Sequence, residues 1–307
     1  MNKKVIYFSL FLRKGKDPCH YAMAYWSLKT LSKFIDNSFD VVLFYDSDID
    51  NFEFEKFQIN GFNMFKDFSF VKFIKLNFYD LYKNIKDPFS EGNDNFFLNL
   101  SNIWMIKWFG LQKIFDLGYE KILFLDVDTI FNKNPIEIFN TLTEKYIYIG
   151  LEQVNKHIIL SNYKTGDITT EKEFKNIVLL NRNINNGDGI NGGQIYFSEI
   201  KIDNFFDLYY KSRLELHNDA NQLFLNKKIN EKYYKYLTTY NEQWALLLVF
   251  DTHKINLKKI PYKLIDRGKI SKFKNQCIFH YDRMDVYKIL PETLFTPSIK
   301  KLYLKNI

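Results

Sequence analysis

Cysteine is nearly absent from this chain. Cys19 and Cys277 follow no metal-ligand spacing and cannot form a disulfide framework, so a reducing, cytoplasmic compartment is the expectation. Long apolar runs are missing too: no stretch approaches the roughly 20 residues needed to cross a bilayer, which excludes a membrane-anchored reading and leaves a soluble protein as the expectation. The opening MNKKVIYFSLFLRKGK imitates a signal peptide, but its apolar run is short, ends at Arg13 and Lys14, and lacks a small-residue cleavage site. It reads as a first strand. There is no block of one charge. The net +7 is spread along the chain, which suits a basic cleft for a diphosphate at least as well as a nucleic-acid surface, and no nucleic-acid motif is present. With only 6 prolines, no internal repeat and no convincing linker, the 307 residues read as one domain with ample core.

What is present alternates. Val5 to Leu10 reads as a buried strand, a polar loop follows, and a helix is expected around Tyr21 to Phe34. VVLFY (41–45) and Val71 to Leu76 are further strand candidates, and Ile103 to Phe115 carries apolar residues at helical spacing, ending near Gly118. KILFL (121–125) is a short, fully apolar strand. Together these imply an α/β fold with a mostly parallel central sheet flanked by helices. From Leu151 to about Gly189 the pattern breaks into a polar, Asn-rich stretch, expected as an insertion or loop. Gly193 to Ser198 then resumes as a strand, Phe205 to Leu216 and Asn241 to Phe250 look helical, and Cys277 to Tyr281 looks extended.

The chemistry concentrates where KILFL ends. Ligands of open α/β sheets gather at carboxyl strand ends, and that end delivers Asp126-Val127-Asp128. Two carboxylates one residue apart can both reach a hard divalent cation, and such a cation can neutralise a diphosphate.

The segment KILFLDVDTIFNKNP (121–135) resembles the signature of the glycogenin-like glycosyltransferase family eight. The resemblance implies a GT-A-like, Rossmann-type nucleotide-diphospho-sugar transferase fold, with residues 1–130 as the nucleotide-binding half and 131–307 as the acceptor side. It also implies Mn2+ or Mg2+ as cofactor and a UDP-sugar donor. By the same resemblance, Asp126, Asp128 and His280, the last in IFHY (278–281), would be the metal ligands. INGGQIYFS (190–198) would place Asn191 near the donor sugar, and Glu242-Gln243 would stand where the family carries its catalytic Asp-Gln pair. Donor contacts would come from Phe8, Ser9, Leu10, Tyr21, Ile103, Lys107 and Val127, and from Lys288 or Arg283 at the diphosphate. The implied reaction moves a hexose, glucose or galactose, to a hydroxyl of a glycan or protein acceptor with retention at the anomeric carbon. A homodimer is an expectation carried by the family alone.

Departures from the family pattern are visible. Glu replaces Asp at 242, no Gly-Gly precedes it, and no Lys-Pro-Trp follows His280. Two other readings therefore stand beside the transferase. A haloacid-dehalogenase-type phosphatase would use Asp126, Asp128 and Thr129, with Gly187-Asp188 as the near candidate for its downstream acids. A noncatalytic sugar-nucleotide-binding protein would keep the fold without the turnover.

Overall fold

A computed structural model describes residues 3–10, 19–45, 53–54, 59–60, 65, 67–76, 100–151, 190–231, 234, 242–268 and 275–281. In chain order the strands are β1 (Lys4–Leu10), β2 (Asp40–Tyr45), β3 (Glu53–Phe54), β4 (Ile59–Asn60), β5 (Val71–Lys75), β6 (Lys121–Leu125), β7 (Thr129–Phe131), β8 (Ile147–Leu151), β9 (Ile190–Ser198), β10 (Leu257–Lys259), β11 (Ile265–Gly268) and β12 (Ile278–Tyr281). The helices are α1 (Cys19–Leu31), α2 (Leu100–Asp116), α3 (Ile136–Thr141), α4 (Phe205–Leu225) and α5 (Glu242–Thr252).

Seven strands form one sheet in the order β10-β8-β9-β6-β1-β2-β5, parallel except where β9 runs antiparallel to β6 and β8. Its inner strands β1, β2 and β6 are apolar on both faces, as a sheet covered on both sides requires. In β1, Ile6, Phe8 and Leu10 join one core while Val5 and Tyr7 join the other; β6 divides the same way, Leu123 and Leu125 against Ile122 and Phe124. Met23, Ala24 and Leu28 of α1 fill the first core, with Ile138 and Phe139 of α3. Met105, Trp108, Leu111 and Phe115 of α2, with α4 and α5, fill the second. Helix α2 stops because Gly118 takes φ 81°, a left-handed conformation that favours glycine, and its N–H closes onto Phe115 O at 3.0 Å. That reversal feeds the chain into β6.

A second, three-stranded sheet, β11-β12-β7, lies on the first core. Its pairing of Thr129 with His280 brings a strand from late in the chain against the residues just after β6. The expected elements are present with adjusted ends: α1 begins at Cys19, α4 runs on to Leu225, and β9 begins at Ile190. Most of the 151–189 stretch, with Gly187-Asp188, lies outside the described residues, as do Arg283 and Lys288. Among the described residues, no helix is long and apolar enough to cross a membrane.

Candidate active site

Three segments meet at the carboxyl end of β6. The strand releases Asp126; its backbone N–H is taken up by Gly193 O of β9 at 2.9 Å, which holds the first carboxylate against the antiparallel neighbour. The turn that follows is pinned to α1: Thr129 donates to the Asp126 carbonyl at 3.1 Å and lies 3.0 Å from Ser27 Oγ. Thr129 is wholly buried, so its hydroxyl holds the turn and faces no open cleft. From the second sheet, buried His280 places Nε2 2.8 Å from Asp128 Oδ1.

Asp126, Asp128 and His280 each offer a ligand atom, all within 4.8 Å of one another. Donors around one divalent ion at roughly 2.1 Å lie within about 4.2 Å of each other, so small side-chain adjustments suffice. Two hard carboxylate oxygens and one imidazole nitrogen suit Mn2+ or Mg2+. Gly193 makes the cluster sterically possible: a Cβ there would stand 2.3 Å from Asp126 Oδ2 and 2.7 Å from His280 Cε1.

Lys107, on α2, completes the group with Nζ 2.8 Å from Asp126 Oδ1. Burial alone would lower its pKa, but the carboxylates of Asp126, Glu242 and Asp128 outweigh it and hold the ammonium above the ordinary lysine value. Glu242 opens α5 and is buried; Trp108 Nε1–H donates to its Oε1 at 3.0 Å. Burial, with Asp126 adding to it, pushes the Glu242 carboxyl up to about 7 against the pull of Lys107, the Trp108 bond and Arg213. Gln243 is half-buried, and its Cγ would be 3.4 Å from a Cβ on Gly192.

The remaining sequence candidates divide. Val127 is buried between the two acids, and Phe8 and Leu10 are packed into the first core at 1 % exposure, so those two side chains act as packing. Ser9, between them, keeps a buried hydroxyl with no hydrogen-bond partner among the described residues. Tyr21, Ile103 and Asn191 lie in α1, α2 and β9 with their side chains outside the description. Sequence reasoning missed four supports: Trp108, Ser27, Arg213, and Tyr7, whose hydroxyl donates to the Lys107 carbonyl at 3.3 Å. A buried Trp needs an acceptor for its N–H, which was the available signal, but nothing in the sequence says where the acceptor comes from.

Arg213 and His217 lie one turn apart on the buried face of α4. Burial, with Arg213 adding to it, lowers the His217 pKa to about 4 from 6.5. Above pH 6.5 the ring is neutral whether the chain is folded or not. As pH falls from there towards 4 the unfolded chain takes up a proton that the folded one refuses, so stability is lost across that window. Thermal melts of His217→Gln against pH should show a shallower acid limb between pH 6.5 and 4; a limb as steep as the parent's would contradict this.

The geometry defines a class: an α/β protein presenting an acid pair, a histidine and a lysine at the carboxyl end of a central strand. The family model for nucleotide-diphospho-sugar transferases matches residues 68–287, well over half of the sequence, and the chain belongs to that family. Its fold is GT-A-like. Among solved structures, the bifunctional glycosyltransferase WbbM is similar at TM-score 0.53 and 12% identity, covering 97% of this chain and 51% of that one, so this chain spans about half its length. Mouse xyloside xylosyltransferase 1 matches at TM-score 0.49 and 14% identity, over 90% of this chain and 97% of that one. Galactosyltransferase LgtC, with donor and acceptor sugar analogs, matches at TM-score 0.46 and 10% identity, over 90% and 86%. At 12% identity the likeness to WbbM is one of fold. No curated protein matches. Family membership sets the phosphatase reading aside, and the chain is a glycosyltransferase by family.

Proposed function

We propose that this chain is a metal-dependent, retaining glycosyltransferase of the glycogenin-like family eight, moving glucose or galactose from a UDP-sugar to an acceptor hydroxyl on a glycan or protein. The observation that carries the reading is the convergence of Asp126, Asp128 and His280 from two different sheets onto one point beside Lys107. Asp126, Asp128 and His280 would hold Mn2+ or Mg2+. When bound, the ion neutralises the donor diphosphate and so eases departure of the leaving group.

The chain's own groups do the rest. Lys107 keeps a buried positive charge next to Asp126, where the departing phosphate gathers negative charge. Glu242 and Gln243 lie beside Gly192 on β9 and act at the transferring sugar, Glu242 stabilising or orienting it as positive character develops at the anomeric carbon. Asn191 holds the donor sugar. Ser9, Tyr21, Ile103 and Val127, with the backbone at Phe8 and Leu10, form the nucleotide side, and Lys288 meets the diphosphate. The acceptor hydroxyl gives its proton to the leaving phosphate.

The test needs no acceptor: thermal shift and donor hydrolysis across a panel of nucleotide sugars, with manganese, with magnesium and with a chelator. One UDP-hexose should stabilise the protein and be slowly hydrolysed, and both effects should vanish with the chelator. Stabilisation with neither hydrolysis nor transfer would replace the enzyme by a sugar-nucleotide-binding protein. Effects indifferent to the chelator would remove the metal.

A further inference from the structure

Trp108 is wholly buried, its indole ring tilted against Phe124 at 5.5 Å between centroids and against Tyr209 at 6.0 Å, with Phe205 edge-on at 6.4 Å. A ring held by three others is fixed in direction. Its single donor is therefore aimed, and what it meets is the Glu242 carboxylate at 3.0 Å. Strand β9 also stands against that carboxylate: a Cβ on Gly192 would lie 3.1 Å from Oε1 and 3.5 Å from Oε2. The carboxyl group is thus held by an indole N–H and packed on a strand whose missing side chain leaves it room. Lys107 and Arg213 supply positive charge to the same group.

We infer that Trp108 is a positioning residue for transfer: through its N–H it fixes the rotamer of Glu242, and Gly192 leaves the space into which that rotamer fits. The inference rests on Glu242 acting at the sugar, as proposed above. A tryptophan needed only for the core would be served by any acceptor, including a backbone carbonyl. This one meets an ionisable side chain in the first turn of α5, next to Gln243 and facing the strand whose Gly193 lies against Asp126 and His280.

The experiment is a double-mutant cycle with Trp108→Phe, which keeps an aromatic ring and deletes the donor, and Glu242→Ala. A hydrogen bond to a charged group is worth enough that Trp108→Phe should lower kcat by about ten- to a hundredfold, with the donor KM unchanged. In the Glu242→Ala background Trp108→Phe should cost nothing further. Trp108→His, which keeps a ring N–H, should recover part of the rate, and it supplies the folded comparison if Trp108→Phe does not fold. On 15N-tryptophan-labelled protein, the indole signal that Trp108→Phe removes should move in Glu242→Gln, showing the bond independently of turnover. Equal losses in both backgrounds, or a lower melting temperature with kcat intact, would overturn the inference and leave the transferase reading standing. A parent protein without hydrolysis or transfer would sink that reading and this inference with it, whatever the indole signal shows.

Discussion

Replacing Gly193 by alanine is expected to lower transfer by at least about a hundredfold, the cost of displacing reacting groups by an ångström, while the protein stays folded. The added Cβ would fall 2.3 Å from Asp126 Oδ2, 2.9 Å from Asp126 Cγ and 2.7 Å from His280 Cε1, separations that real Cβ atoms essentially never show. Something must move, and each candidate is held. Gly193 cannot withdraw, because its carbonyl accepts the Asp126 N–H and its strand lies between β6 and β8 inside the large sheet. His280 is buried and tied to Asp128. Asp126 is the least constrained, and turning it away breaks its contact with Lys107 and spreads the three ligand atoms. Overpacking should also cost on the order of 1–3 kcal/mol of stability. The metal-dependent rise in melting temperature should disappear together with the activity, and far-UV circular dichroism should stay that of the parent. Parent-like turnover in this variant would mean that the cluster is not the site.

The central sheet was legible because burial on both faces leaves unbroken apolar runs. KVIYFSL, DVVLFY and KILFL need no alternation to be recognised as strands when no polar face exists. The three-residue strands Thr129–Phe131 and Leu257–Lys259 were not legible, being too short to show a period. They exist because distant partners, β12 and β8, present edges to them. Helix α4 outran its expected end at Leu216 because HNDANQLFL (217–225) loses the apolar spacing, although Ala220 stays fully buried.

The same contrast governs the site. Asp126 and Asp128 could be read because adjacency in sequence guarantees adjacency in space. His280 came from a resemblance, since its approach depends on the pairing of β12 with β7, which no local pattern encodes. Phe8 and Leu10 show the limit in the other direction: a strand apolar on both faces conceals which of its side chains looks towards a ligand, and both pack inward on the first core. Trp108 was hidden by its surroundings. A tryptophan within an apolar helix reads as core, and only the assembled fold shows that its N–H ends on Glu242.

Asp128→Ala separates function from stability most sharply, because the same residue should act in opposite directions on the two. Asp126 and Asp128 are like charges gathered within ligand distance beside one histidine, an arrangement that is unfavourable until a cation sits among them. Lys107 relieves Asp126 directly, at 2.8 Å, whereas Asp128 is answered by the His280 ring. Deleting the Asp128 carboxylate removes that repulsion at the loss of one close contact to His280, so without metal the variant should melt no lower than the parent. Adding manganese should raise the parent's melting temperature and leave the variant's where it was, setting the parent above it. Transfer should fall about a thousandfold or more, because a bound cation supplies several kcal/mol of charge stabilisation and each 1.36 kcal/mol is tenfold in rate. Asp128→Asn, which keeps the shape without the charge, should follow the alanine variant in rate, since charge is what the ion requires. A variant that melts well below the parent without metal would make Asp128 a structural residue. One that transfers at the parent's rate would move the metal elsewhere.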